Sequence, residues 1–240
     1  NWEGQPMIGR PGDRKVDWNR FRHDKQASYA TPVAATVNGE RLVFCLMRQG
    51  LVALNPESGQ VRFSYWFRAA IDESVNAANP VVVGDSVFIS AAYYRVGSVL
   101  LKLLPGNTKV EPVWRSTALE IHWTTPIYHD GFLYAFSGRN EPDSRFRCVE
   151  YQTGKVMWER DERWRRFGSG PPTYGRGAAI LADGKLIALG EAGLLGLFRP
   201  TPAEAIELAR YQVPQLKYPC WTAPILADGQ VYLRSENKLL

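Results

Sequence analysis

Thr31-Pro32-Val33, Asn79-Pro80-Val81, Thr125-Pro126-Ile127 and Ala223-Pro224-Ile225 are four copies of one small-proline-aliphatic element. Ala178-Ala179-Ile180 is a fifth copy that lacks only the proline. The central residues are separated by 48, 46, 53 and 45 positions. Each copy leads into a tight turn, Asn38-Gly39, Gly84-Asp85, Asp130-Gly131, Asp183-Gly184 or Asp228-Gly229, and then a second apolar run. Such pairs supply the positive φ angles that two-residue hairpins require. Five hits at similar offsets mark a repeat, and the repeat decides the architecture.

Two further strands complete the unit. Ala53-Leu54-Asn55-Pro56-Glu57-Ser58-Gly59-Gln60-Val61 aligns without gaps with Cys148-Val149-Glu150-Tyr151-Gln152-Thr153-Gly154-Lys155-Val156. The glycine suits a left-handed position that closes a turn. The strand that follows carries Phe63 in one copy and Trp158 in the other, with Trp114 at the corresponding place after the altered turn Pro105-Gly106-Asn107. The unit is therefore four short antiparallel strands, the size of a propeller blade. The second strands, Leu42-Val43-Phe44-Cys45-Leu46, Val87-Phe88-Ile89 and Leu186-Ile187-Ala188-Leu189, are apolar almost throughout, which means that both faces are covered. A flat β-sandwich is the competing arrangement, and the long regular period argues against it. The fold class read from these features is all-β, a β-propeller of four complete blades and one partial blade. Repeats start near residues 30, 78, 124, 177 and 222 within a propeller region 28–240, and 1–27 form a connecting segment from a preceding blade. In that segment Pro11-Gly12-Asp13 and a mixed-charge run over 14–25 suggest a surface connection, anchored by Trp2 and Trp18.

Composition narrows the class. The 240 residues are 45% hydrophobic and 22% charged, ordinary for a globular protein large enough to bury a core. The aromatic content, with 8 Trp and 11 Tyr, suits pleated sheet. No apolar stretch approaches the ~18 residues of a membrane span. The net charge of +5 is spread among acids, as in Arg160-Asp161-Glu162-Arg163, which argues against a nucleic-acid groove. Cys45, Cys148 and Cys220 include no close pair, so neither a disulfide framework nor a zinc site is expected; Cys45 and Cys148 read as buried thiols. Asn1 follows no leader, so a signal has been removed or the sequence is an excerpt.

The alanine-x-Asn/Asp-x-x-Ser/Thr-Gly-x-Val…Trp signature, over residues 28–240, resembles that of the pyrroloquinoline-quinone-like propeller repeats. That superfamily takes in quinoprotein alcohol dehydrogenases, an outer-membrane assembly lipoprotein and many bacterial secreted proteins. Asn76-Ala77-Ala78-Asn79-Pro80 and Cys220-Trp221-Thr222-Ala223-Pro224 most resemble the last group. The resemblance implies a ring of seven or eight blades, hence a longer natural protein, with remaining blades needed to close it. It also implies that Trp114 and Trp158 are structural, docking on the adjacent blade, and that the protein is periplasmic or secreted.

Propellers concentrate function on the loops leading into each innermost strand. Those loops supply Ser28 and Tyr29, Asn76 and Asn79, His122 and Trp123, Tyr174 and Arg176, and Cys220 and Trp221. The binding candidates at the channel mouth are thus Tyr29, Asn76, Asn79, His122, Trp123, Tyr174, Arg176 and Trp221, a mixture suited to a polar planar ligand or a peptide. The bland alternative is that they cap the channel and satisfy loop backbone. Glu120 and His122, two apart on extended chain, are placed to meet; His23 and His129 read as exposed loop residues. No catalytic or metal-ligating residue is assigned. The leading reading is a non-enzymatic binding or scaffold propeller of the bacterial cell envelope with a protein partner or a polar small ligand. One alternative is a quinoprotein dehydrogenase, which the resemblance would equip with pyrroloquinoline quinone on Trp123 or Trp221 and calcium, although the adjacent cysteines of that group are missing. The other is a carbohydrate-binding propeller using Tyr29, Trp123 and Trp221. No cofactor is expected on the leading reading.

Overall fold

The computed structural model describes residues 7–8, 28–140, 143–163 and 171–240. Trp2, Trp18, His23, Pro11-Gly12-Asp13 and the mixed-charge run lie outside the described residues. Among the described residues the chain forms four four-stranded antiparallel sheets and one two-stranded sheet, each strand pairing with the next in sequence. These are the blades of a β-propeller. The first blade is β1 (Val33–Val37), β2 (Glu40–Met47), β3 (Gly50–Leu54) and β4 (Val61–Trp66). The second is β5 (Val81–Val83), β6 (Ser86–Ala91), β7 (Gly97–Leu103) and β8 (Val110–Ser116). The third is β9 (Ile127–His129), β10 (Phe132–Ser137), β11 (Arg145–Glu150) and β12 (Val156–Asp161). The fourth is β13 (Ala178–Ala182), β14 (Lys185–Leu189), β15 (Leu194–Arg199) and β16 (Ile206–Gln212), and β17 (Ile225–Ala227) with β18 (Gln230–Tyr232) makes the two-stranded sheet. The chain divides into two compact units, Asn1–Trp123 and Thr124–Leu240.

The turn residues do what their chemistry dictates. Asn38 and Gly39 have φ of 48° and 79°, the double-positive pattern of a type I′ hairpin, and Asp130-Gly131, Asp183-Gly184 and Asp228-Gly229 repeat it. At Gly84-Asp85 only the glycine is positive, at 58°, as a type II′ turn requires. A second regularity was not visible in the sequence. Every pairing of a third with a fourth strand carries a bulge at the same place, after Ala53, Leu100, Cys148 and Leu197. The extra residues on the fourth strands are Arg62, Val113, Met157 and Leu208, and the signature aromatics Phe63, Trp114 and Trp158 each follow one. An inserted residue bends and twists its strand locally.

The second strands are covered on both sides, most fully β6, all of whose residues are buried. In the first unit Leu42, Phe44, Leu46 and Leu51 pack with Val87, Ile89, Val99 and Leu101 of the neighbouring blade. In the second, Phe136 stacks on Phe146 with centroids 4.5 Å apart, and Phe146 meets Phe198 of the next blade edge-on at 5.3 Å. Polar links fasten the same pairs. Arg62 donates to the carbonyl of Gly106 at 2.9 Å, and Trp158 Nε1 donates to the carbonyl of Thr201 at 2.7 Å; both acceptors lie in the third-to-fourth-strand turn of the following blade. Asn107, buried and at φ 54°, donates to the Val37 carbonyl at 2.9 Å and to Glu40 at 3.1 Å and accepts from Asn38. Ile8 bridges in parallel to Tyr65, bonding the outer edge of β4.

Two local expectations change. His129 is the half-buried last residue of β9 rather than a loop residue, 3.4 Å from Asp130, because the inner strand runs right up to the hairpin. Cys148 is fully buried but Cys45 is only partly so, since β2 buries alternate residues most deeply. Burial pushes the Cys148 thiol up to about 11, against a lowering hydrogen bond with Tyr134.

Candidate functional site

In an antiparallel blade the chain enters the innermost strand at the end where the second strand turns into the third. The two sets of connections therefore share one end of each sheet, and in each unit they form a candidate site. Each unit builds its own cluster there.

In the first unit the loops before β1 and β5 are tied together. Ser28 Oγ donates to the Asn76 carbonyl, and the Thr31 amide donates to Asn79 Oδ1 at 2.7 Å. Asn76 is 0% exposed, and its side-chain amide donates to the carbonyls of Met47 and Phe67 at 2.8 and 2.9 Å. Arg48 donates to the Ser74 carbonyl at 3.2 Å, and Arg68 to those of Ala69 and Ile71. Burial lowers the Arg68 guanidinium to about 10, with Asp72 pulling the other way. Tyr29 stands apart from this packing at 72% exposed.

The second-to-third-strand connection of the next blade meets His122 and Trp123. His122 Nε2 lies 3.2 Å from the Tyr93 hydroxyl, with Tyr93 edge-on at 5.1 Å and Trp123 at 4.6 Å. Ser90 of β6 accepts from the Ile121 amide at 3.0 Å and donates to the Leu119 carbonyl at 3.2 Å, which fixes the approach to both rings. Tyr94 and Arg95 hold φ of 52° and 58°, a costly region for side chains of this size. His122 thus meets Tyr93, a residue of the second-to-third-strand connection.

In the second unit the centre is Glu191, between β14 and β15 and 2% exposed. Its Oε1 accepts from Arg176 Nη2 at 2.7 Å, from Arg176 Nε at 3.1 Å and from Trp221 Nε1 at 2.9 Å, and its Oε2 accepts from the Arg176 amide at 2.9 Å. Arg176 Nη1 donates to the Arg139 carbonyl at 2.7 Å. The Glu191 amide donates to the Tyr174 carbonyl at 3.0 Å, and the Cys220 amide to the Glu191 carbonyl at 2.8 Å. Gly175 at φ 62° lets the carboxylate approach: a Cβ there would stand 2.6 Å from Oε2. Glu191 and Arg176 together thus join loops of three blades.

Tyr174 is a core residue, not a mouth side chain. It is fully buried among Phe136 and Phe198, and its hydroxyl donates to Glu207 Oε1 at 2.8 Å. Glu207 also takes Arg210 Nε at 2.7 Å and Arg160 Nη1 at 2.6 Å. Burial alone would raise the Glu207 carboxyl, but the hydrogen bonds from Arg210, Tyr174 and Arg160 bring it below its ordinary value. Burial and the Glu207 carboxylate raise the Tyr174 phenol. Glu162, also fully buried, accepts from the Tyr174 amide at 2.8 Å and pairs with Arg160 at 2.8 Å, and burial pushes its carboxyl up despite these partners.

Of the eight candidates, Asn76 and Asn79 both bond the loop before β1, Arg176 and Trp221 share Glu191, and His122 packs on Trp123. Asn76 and Tyr174 have no exposed side chain to offer. Trp221 remains 49% exposed and pairs edge-on with exposed Tyr218 at 6.1 Å; Cys220 beside it is buried. Among the described residues no group of three or more His, Cys, Asp and Glu could hold a metal ion. Arg176 is engaged by Glu191 and by the Arg139 carbonyl, and the Trp221 indole is bound to the same acid.

A family model described as "Outer membrane protein assembly factor BamB" matches residues 11–160, well over half of the chain. No curated protein matches. Among solved structures, BamB from Moraxella catarrhalis is similar with a TM-score of 0.62 at 13% identity, over 88% of this chain and 57% of that one. A quinohemoprotein alcohol dehydrogenase from Comamonas testosteroni gives 0.58 at 14% identity, over 89% of this chain and 38% of that one. A europium-containing methanol dehydrogenase gives 0.51 at 14% identity, over 71% and 40%. The chain thus spans little more than half the length of the first of these, and at such identities the likeness is one of fold.

Proposed function

The chain belongs to the family of the outer membrane protein assembly factor BamB, and from that premise we propose that it is a non-enzymatic scaffold of the bacterial cell envelope that docks a protein partner on its mouth loops. The observation that carries this reading is the division of labour among those loops. Asn76, Asn79, Arg176 and Glu191 are spent on internal bonds, while Tyr29 and Trp221 project from the loops so stiffened. Rigid aromatic side chains on an ordered backbone are what interface hot spots are made of. The excess of basic residues, +5 overall with exposed Lys217 beside Tyr218, favours a partner face rich in carboxylates. Membership of that family supports a place in the cell envelope, and the periplasm is the compartment proposed; no helix among the described residues is long and apolar enough to cross a membrane.

The test is to place a photo-crosslinking amino acid at positions 29 and 221 of the full-length protein in its native envelope and identify the adduct. The affinity of the purified pair is then measured for Tyr29→Ala and Trp221→Ala. A hot-spot truncation of about 2 kcal/mol or more weakens binding by roughly thirtyfold. Variants that bind their partner as the wild type does would remove these residues from the interface. The fold it shares with the two dehydrogenases supports a second reading, a quinoprotein dehydrogenase. Stoichiometric uptake of pyrroloquinoline quinone with calcium, together with alcohol-dependent dye reduction, would replace the scaffold assignment.

A further inference from the structure

Glu191 has a position unlike that of any other acid described here: its carboxylate is almost wholly buried, yet one of its partners is an indole that is half in solvent. The indole N–H reaches Oε1 at 2.9 Å, and the same oxygen takes Arg176 Nη2 at 2.7 Å. The acid itself cannot swing. Its Oε2 is held by the Arg176 amide at 2.9 Å, and its own amide and carbonyl are bonded to Tyr174 and Cys220. Next to it, the Gln212 side chain donates to the Ala192 carbonyl at 2.9 Å and steadies the turn, and Gly193 at φ 82° sits against Leu216, where a Cβ would meet the leucine Cβ at 2.8 Å.

We infer that Glu191 is a positioning residue: charge-balanced by Arg176, it fixes the exposed Trp221 indole in one orientation, so that the Tyr218–Trp221 pair meets its partner already ordered. This rests on the scaffold reading above, and it names which internal residue sets the binding face. An exposed tryptophan free about both side-chain torsions would lose that freedom on binding, and fixing it beforehand lowers the cost. A hydrogen bond from a neutral donor to a carboxylate is among the stronger kinds, and here the acceptor is shielded from water. The Arg176 pairing matters because a buried carboxylate without a counter-charge is costly to keep in place, and the guanidinium balances it where it meets the indole.

The experiment reads the indole directly, with no partner present. Nitrogen-15 labelling of the tryptophans in the intact protein gives one Nε1–H resonance for each indole, and that of Trp221 is assigned by its loss in Trp221→Phe. The expected wild-type result is a heteronuclear NOE equal to that of the backbone and solvent exchange slowed at least about tenfold against an unstructured indole, the factor that corresponds to a bond of this kind. In the double variant Arg176→Leu/Glu191→Leu, which keeps the buried volume but removes acceptor and charge together, the Trp221 signal should narrow and exchange freely while the other seven tryptophans keep their shifts. Glu191→Gln, which retains an acceptor oxygen, should restore much of the protection. A Trp221 indole that is mobile and unprotected in the wild type overturns the inference whether or not any variant folds, and so does full protection in a folded double variant. Neither result bears on whether position 221 crosslinks to a partner, so positioning and scaffold function fail separately.

Discussion

Removing the Tyr174 hydroxyl should destabilise the second unit without touching partner binding. The Tyr174→Phe change leaves the ring among Phe136 and Phe198 and deletes a single bond, the one to Glu207 Oε1 at 2.8 Å. Hydrogen bonds to charged groups contribute about 1.5–3 kcal/mol. The lower end applies here, because Glu207 keeps Arg160 and Arg210 and is not left as an orphaned charge. A companion change probes the same atom from the other side. A Cβ on Gly196 would lie 1.9 Å from the Tyr174 hydroxyl and 2.6 Å from Cζ. The ring is wedged between aromatic neighbours, so Gly196→Ala should cost near the top of the usual overpacking range, about 3 kcal/mol. Combined with Tyr174→Leu, which vacates that space, the alanine should cost at least about 1 kcal/mol less than it does alone, a coupling expected for residues in contact. Urea unfolding followed by circular dichroism gives the four corners of this cycle. Additive changes, or a Tyr174→Phe variant with an unshifted midpoint and weakened partner binding, would refute the core assignment of Tyr174.

Glu162 gives a pH signature. Its folded-state carboxyl is raised by burial above the ordinary glutamate value of 4.5, so the folded chain holds that proton more tightly. The stabilisation is full below that value and is lost as pH rises through the folded value. Urea midpoints of Glu162→Gln, which stays neutral, should therefore gain on the wild type between pH 4 and 7; a constant difference would show that Glu162 does not titrate as described. Asn107 combines a left-handed backbone with three side-chain bonds. Asn107→Ala should be more destabilising than Asn107→Gly by about 1 kcal/mol, the cost of a Cβ in that conformation, and equal midpoints would deny the strain. Buried, high-pKa Cys148 should resist a thiol reagent at pH 8 in the folded protein and react in urea; rapid native labelling would place it elsewhere.

The blades were legible because their information is local. A proline-aliphatic element followed by Asn-Gly or Asp-Gly specifies an inner hairpin without reference to anything distant, and β1, β5, β9, β13 and β17 each begin within three residues of such an element's first residue. The signature aromatic was legible for the same reason, and Trp158 does reach the next blade, at Thr201. The bulge that accompanies it was not, since an extra residue in a strand has no composition of its own. The mouth was half legible. Loops leading into the inner strands gave Asn76, Arg176 and Trp221, but the second-to-third-strand connections, at the same end by antiparallel order, hold Arg48, Tyr93, Arg139 and Glu191. A charged or aromatic residue directly after an apolar second strand was the available signal. The cluster that gathers Arg160, Glu207 and Arg210 around buried Glu162 and Tyr174 was hidden because it is distributed over two outer strands and a loop that look, residue by residue, like a solvated mixed surface.

The polar character of the mouth loops has a general cause, and it bears on where function should be sought. Each blade ends in connections whose carbonyls leave the ladder and still need donors. Asn76 meets this need for Met47 and Phe67, Arg48 for Ser74, Arg68 for Ala69 and Ile71, and Arg176 for Arg139. A set of polar loop residues in each unit is therefore what the architecture requires whether or not a ligand binds there, and its chemical variety is poor ground for predicting one. An exposed aromatic at the same end carries more information, because the fold gains little from leaving Tyr29 or Trp221 in water. A buried acid that holds one such ring in place is more informative still, since a loop that needed only its backbone satisfied would have no use for the bond from the indole N–H to Glu191.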